Sequence, residues 1–185
     1  MDYLQHMLRV LRFEEDVYRE IITREKLPLW YTAVNVGVFG LIYGLVALSF
    51  SDRLLEPGAT PLPTSLKTTI VFMGISVAFL IHGGMALFAW VFCRGFGGST
   101  LFLPVYLALG IAWIALWPLA PIMAAMQVQT PSTGIVLMLA AAAGLALGVV
   151  FRALKSASGL SQLRMLLVMA VVIIYIFSFM YLWVG

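Results

Sequence analysis

Acidic residues stop at Glu56, and the 129 residues that follow carry neither Asp nor Glu. That absence excludes whole classes of chemistry. Phosphotransfer and lipid synthesis at a membrane need carboxylates to hold magnesium, zinc proteases need a His/Glu helix, and aspartyl proteases need two Asp. The chain has two histidines, His6 and His82, no GxSxG elbow, and no evident base beside a Ser or Cys nucleophile. A single cysteine, Cys93, forbids an internal disulfide. The sequence therefore reads as non-enzymatic and without a cofactor.

What fills the space is apolar. Hydrophobic residues make up 63% of the 185, charged residues only 10%, and the mean hydropathy is +1.04. Runs of about 20 apolar residues match the hydrocarbon thickness of a bilayer. Five such tracts, at 29–50, 66–92, 101–126, 133–151 and 163–184, predict an all-α polytopic membrane protein. The expected organisation is a cytoplasmic leader at 1–28 and a five-helix transmembrane domain at 29–185. Breakers separate the tracts: Glu56-Pro57-Gly58, Pro61-Leu62-Pro63, Gly95-Phe96-Gly97-Gly98 and Gln129-Thr130-Pro131. The first tract is too long for a signal-peptide core, and no small-residue cleavage site follows it.

Basic residues near helix ends stay on the cytoplasmic side. Nine of the eleven fall on one face of the five-span arrangement: Arg9, Arg12, Arg19, Arg24 and Lys26 in the leader, Arg94 in the second loop, and Arg152, Lys155 and Arg164 in the fourth. Arg53 and Lys67 fall on the other. The N-terminus is expected inside, on the cytoplasmic face, and Gly185 outside. The net charge of +3 is dispersed, and six acids outnumber the leader's cations, so it marks topology rather than nucleic-acid binding.

In the leader, Leu4, Met7, Leu8 and Leu11, then Val17, Tyr18, Ile21 and Ile22, recur at helical spacing, with Glu15/Arg19 and Glu20/Arg24 at i,i+4. One or two amphipathic helices are expected, lying along the headgroups over the cytoplasmic end of the bundle or docking a partner. Pro28 then suits the first turn of the first span.

Within the spans, Gly40/Gly44, Gly144/Gly148, Ala108/Ala112 and Gly83-Gly84 are small residues that let helices approach closely, within one chain or between copies. Pro118 and Pro121 should kink the third span and free carbonyls there. His82 is the one ionisable side chain well inside a span, and with Asn35 it forms a candidate intramembrane polar site. The competing reading is a neutral histidine hydrogen-bonded to a carbonyl, a hydroxyl or Asn35. Ten scattered methionines lack the clustering that thioether coordination of copper requires.

One constellation remains, Cys93 to Thr100. A tight turn opens towards the third span, where Ser99 or Thr100 is expected to cap the helix. Arg94 adds a positive charge, so Arg94, Gly97, Gly98, Ser99 and Thr100 form a candidate site for an anionic lipid headgroup. The competing reading is a tight hairpin with a positive-inside anchor. Cys93 itself is read as a small buried thiol in preference to a palmitoylation site.

The run Met85-Ala86-Leu87-Phe88-Ala89-Trp90, then Gly97-Gly98-Ser99-Thr100-Leu101-Phe102, then Tyr106 to Leu116 ahead of Trp117-Pro118, with the leader's Val10-Leu11-Arg12-Phe13, resembles the Yip family of five-span membrane proteins. The usual Gly-Tyr-Ala before the proline here reads Gly110-Ile111-Ala112-Trp113. The resemblance implies a protein that associates with other membrane proteins, as trafficking relatives do with Rab-type GTPases. The short leader, against the long polar extension of the eukaryotic members, points to the bacterial branch and so to a bacterial inner membrane. The expected function is a membrane organiser or protein/lipid interaction scaffold in contact with the bilayer, anionic lipid and a second copy or another membrane protein. The alternative is a small transporter, channel or lipid-moving protein with a cavity near His82, Asn35 and the Pro118/Pro121 kink.

Overall fold

The computed structural model describes residues 2–24, 26–54, 62–99, 101–126 and 132–184, with side chains throughout these except at 51–54 and 179–184. Most of the loop with Glu56-Pro57-Gly58, the Gln129-Thr130-Pro131 turn and Thr100 lie outside the described residues. Every regular element described is helical: α1 (Tyr3–Leu11), α2 (Asp16–Ile22), α3 (Leu27–Leu54), α4 (Thr64–Gly95), α5 (Phe102–Ala112), a 3-10 turn (Trp113–Leu116), α6 (Leu119–Met126), α7 (Thr133–Ser158) and α8 (Gln162–Val184).

Three helices are long and apolar enough to cross a membrane: α3, α4 and α7. They make a fourth if α5, the 3-10 turn and α6 form one broken span, which bends by 68° between Leu116 and Leu119. At most 28% of the most apolar window of α3, α4 or α7 is buried within the protein. Such helices are compatible with hydrocarbon and poorly suited to water, because their outward faces are as apolar as their inward ones. Leu80, Leu137 and Ile174 are among the large apolar side chains left exposed.

Helix boundaries follow local chemistry. The Ser132 hydroxyl accepts the Ile135 N–H and starts α7. That helix runs on to Ser158 and ends at Gly159, whose φ of +69° suits glycine. It thus extends seven residues past the expected end at Phe151, so Arg152 and Lys155 lie on its last two turns rather than in a loop.

The close approach of α3 and α4 rests on glycine. A Cβ on Gly40 would lie 2.6 Å from the Ile75 Cα, one on Gly44 2.9 Å from the Val71 Cα, and one on Gly74 2.8 Å from the Gly40 carbonyl oxygen. The Gly40/Gly44 pair is therefore used within the chain, where small residues let two backbones touch. On the other side of α4, the Tyr175 ring of α8 occupies the space over Gly84.

The leader belongs to the same core. Met7, Val10, Val17, Tyr18 and Ile21 are buried against the bundle, α2 packing on α5 and α7. The expected stripe of α1 is split: Met7 points inward with Tyr3, His6 and Val10, while Leu4 and Leu8 are 71% and 55% exposed. The physical reason is that Tyr3 and His6 find polar partners inside, whereas leucines are at no disadvantage facing lipid.

Candidate intramembrane polar site

Asn35 stands on α3 facing the point where α5 gives way to the 3-10 turn. Its amide donates to the carbonyls of Gly110 (3.2 Å) and Ile111 (2.9 Å) and approaches the Met7 sulfur at 3.5 Å. Tyr3 donates its hydroxyl to Asn35 Oδ1 at 2.5 Å, and the Trp117 indole N–H donates to the Asn35 carbonyl at 2.9 Å. One fully buried side chain therefore ties α1, α3 and the bent α5–α6 segment together. Burial, followed by the Coulombic effect of Tyr31, pushes the Tyr3 hydroxyl pKa up to about 12, so it stays a donor.

His6, expected outside the bundle, is fully buried. Its Nδ1 lies 2.9 Å from the Tyr31 hydroxyl and its Nε2 3.2 Å from Glu20 Oε1. Glu20 also accepts from Arg9 (2.7 Å) and Arg24 (3.1 Å), and Arg9 bonds Glu14 at 2.6 Å. Hydrogen bonding from Arg9 and then His6 holds the Glu20 carboxyl below its ordinary range. Hydrogen bonds to Glu14 first and then Glu20 hold Arg9 above its own. Sequence reasoning missed Tyr3, His6 and Tyr31. Tyr3, His6 and Val10 do recur at helical spacing, but two polar-tipped residues hid that face behind the leucines.

His82 on α4 is fully buried and meets aromatic faces. Its ring lies 4.4 Å from Tyr106 and 5.4 Å from Trp113, which stands edge-on to Phe39 at 4.9 Å. Neither His82 nitrogen has a hydrogen-bond partner among the described residues, and none is drawn to Asn35. The two residues of the candidate pair thus abut the same α5 segment while contacting different neighbours.

The Pro118/Pro121 bend takes up its own loose ends. The carbonyls that would have bonded the missing proline N–H groups accept instead from Trp117 (to Ile114, 3.3 Å) and Ala120 (to Trp117, 3.3 Å). An open apolar groove runs between α6 and α7 beside Pro118, Pro121, Ile122, Met138 and Leu145. Neither His82 nor Asn35 lines it.

At the other candidate, Gly97 has a φ of +87°, and the Gly98 N–H donates to the Cys93 carbonyl at 2.8 Å. The turn is clamped to the one after α7: the Ser99 N–H donates to the Ser158 carbonyl (3.0 Å), and Arg164 donates to the Phe96 carbonyl (3.0 Å). Arg94 is exposed and sits over the Trp90 ring at 5.7 Å. Leu101, not Ser99, occupies the cap position of α5, and no side chain among the described residues caps it; the Ser99 hydroxyl accepts the Leu101 N–H at 3.3 Å. Cys93 is buried.

The leader is fastened to this same end. Glu15 pairs with Arg152 and, at 3.0 Å, with Lys155, instead of using Arg19. Hydrogen bonding from Arg152 and then Lys155 holds the Glu15 carboxyl below its ordinary range. Tyr18, pushed up by burial, donates its hydroxyl to the Val149 carbonyl at 3.3 Å. Leader, Arg94 turn and Arg164 turn are thus gathered at one end of the bundle. Comparison with protein-family models, curated proteins and solved structures returns no match.

Proposed function

We propose that the chain is a non-enzymatic, five-span protein of a bacterial inner membrane, resembling the Yip family, with a cytoplasmic N-terminus and an external C-terminus. It serves as an interaction scaffold for lipid and for other membrane proteins. One observation carries this reading: the leader is fastened to the basic end of the bundle by its own acid, Glu15 on Arg152 and Lys155, while Glu20 on Arg9 ties α2 to α1 within the leader. Polar side chains that join a chain's own segments build a rigid body with a lipid-facing apolar surface, and need no substrate to satisfy them. α8 supplies the fifth span.

Arg94 and Arg164 flank the Phe96-Gly97 turn without an acidic partner among the described residues, which suits an anionic lipid headgroup. Native mass spectrometry of the purified protein is expected to show anionic lipid retained by the parent and by Arg152→Ala, and lost in part from Arg94→Ala. Equal retention by the parent and Arg94→Ala would reduce the turn to a positive-inside anchor.

The transporter reading draws its support from His82, whose two nitrogens meet no hydrogen-bond partner among the described residues. Flux or single-channel recording on the full chain in liposomes separates the two readings. A scaffold leaves the bilayer as tight as empty vesicles and co-purifies with a membrane partner. Solute flux that His82→Phe abolishes would overturn the scaffold.

A further inference from the structure

Thr32 Oγ1, both ring nitrogens of His82 and Trp113 Nε1 are buried polar atoms that meet no hydrogen-bond partner among the described residues. They come from α3, α4 and the 3-10 turn, yet they gather round one face of a single segment. Tyr106, Gly110 and Trp113 recur at i, i+4 and i+7, so they share that face. His82 lies against Tyr106 and Trp113, and the Thr32 side chain occupies the space over Gly110 between them.

The Thr32 hydroxyl also departs from what three hydroxyls of α4 do. Thr68, Thr69 and Ser76 each return theirs to the carbonyl four residues back, all at 2.9 Å. Thr32 makes no such bond to Pro28 and is turned onto Gly110. Polar atoms in so apolar a setting cannot be left unmet without cost, and hydrocarbon offers them nothing.

We propose that Thr32, His82 and Trp113 together form an internal hydration site, where about one or two water molecules bridge α3, α4 and the start of the 3-10 turn. The donor and acceptor inventory selects water. An indole N–H only donates, a hydroxyl does both, and a neutral imidazole offers one donor and one acceptor. An anion would leave the imidazole acceptor unmet, and a metal cation would face the indole donor. No cluster of three His, Cys, Asp or Glu lies among the described residues to hold a cation. Water supplies two donors and two acceptors. The site stands independently of the scaffold reading, because it rests on buried atoms and not on a partner.

X-ray radiolytic footprinting of the full chain in nanodiscs, in 18O-labelled water, reads the site directly, since hydroxyl radicals born from a bound water oxidise the side chains beside it. Trp113 and His82 should gain solvent-derived oxygen at doses that label exposed Trp30, while buried Met165, intrinsically more reactive, should not. Thr32→Val keeps the shape and removes one partner. It should lower Trp113 labelling by roughly two- to ten-fold, the loss in occupancy that one hydrogen bond carries. Trp113 and His82 unlabelled at that dose, or Met165 labelled with them, would overturn the proposal. So would a folded Thr32→Val protein whose Trp113 labels as in the parent.

Discussion

The ring of Phe13 fills the notch that Gly148 leaves in α7: a Cβ on Gly148 would lie 2.6 Å from Phe13 Cε1. Phe13 reaches it from a φ of +64°, a left-handed conformation that breaks α1 from α2. Gly148→Val should therefore push the leader off α7, at about 1–3 kcal/mol for overpacking a filled site. Faster hydrogen exchange across residues 3–22 checks it. Gly144→Ala, where an added methyl meets nothing within 4 Å, should leave the exchange unchanged.

Charge holds the same strap. Because the folded Glu15 carboxyl is held below its ordinary value, its contribution is complete above about pH 4.3 and is lost as pH falls through the depressed value. With the three side chains between 30% and 42% exposed, that contribution is on the order of 1 kcal/mol or less after solvent screening. Glu15→Gln should loosen the leader at neutral pH, and strong acid should loosen the parent at least as far, because it also protonates Glu14 and Glu20. Limited proteolysis at Arg12 and Arg19 reads this, and identical cleavage of Glu15→Gln and the parent at pH 7 would contradict it.

The α3–α4 contact should be the least tolerant place in the bundle. Gly74→Val sets a side chain against the Gly40 carbonyl and the Gly44 backbone, neither of which can rotate away. A loss of more than about 3 kcal/mol, or no folded protein, is expected. Gly37→Ala and Gly83→Ala meet open space and should melt in detergent as the parent does.

Long apolar runs made the helical class, α3, α4 and α7 legible in the sequence, because hydrocarbon thickness is written directly into tract length. Register was harder to read. In α1, Tyr3 and His6 take the buried face while Leu4 and Leu8 stay exposed, so no simple apolar stripe identifies the buried face. The pairing of Glu15 with Arg152 joins residues 137 apart in sequence, and local i,i+4 spacing offered Arg19 as a nearer partner. Asn35 and His82 stood out as polar residues in apolar tracts. Tyr3, Thr32 and Trp113, which complete their surroundings, did not, since hydroxyls and indoles are common in spans. Prolines announced the bend at Pro118, but not that 3-10 bonding would absorb the freed carbonyls.

The arrangement of five spans turns on α5, the 3-10 turn and α6, whose 68° bend belongs either to one broken span or to a segment that enters and leaves by the same face. Paired fusions after Gly185 separate the two most directly. If the broken segment crosses and α8 completes the count, alkaline phosphatase placed there is active and green fluorescent protein is dark, putting the C-terminus outside opposite a cytoplasmic leader. An inactive phosphatase with a bright fluorescent fusion would put both ends inside and contradict the five-span account.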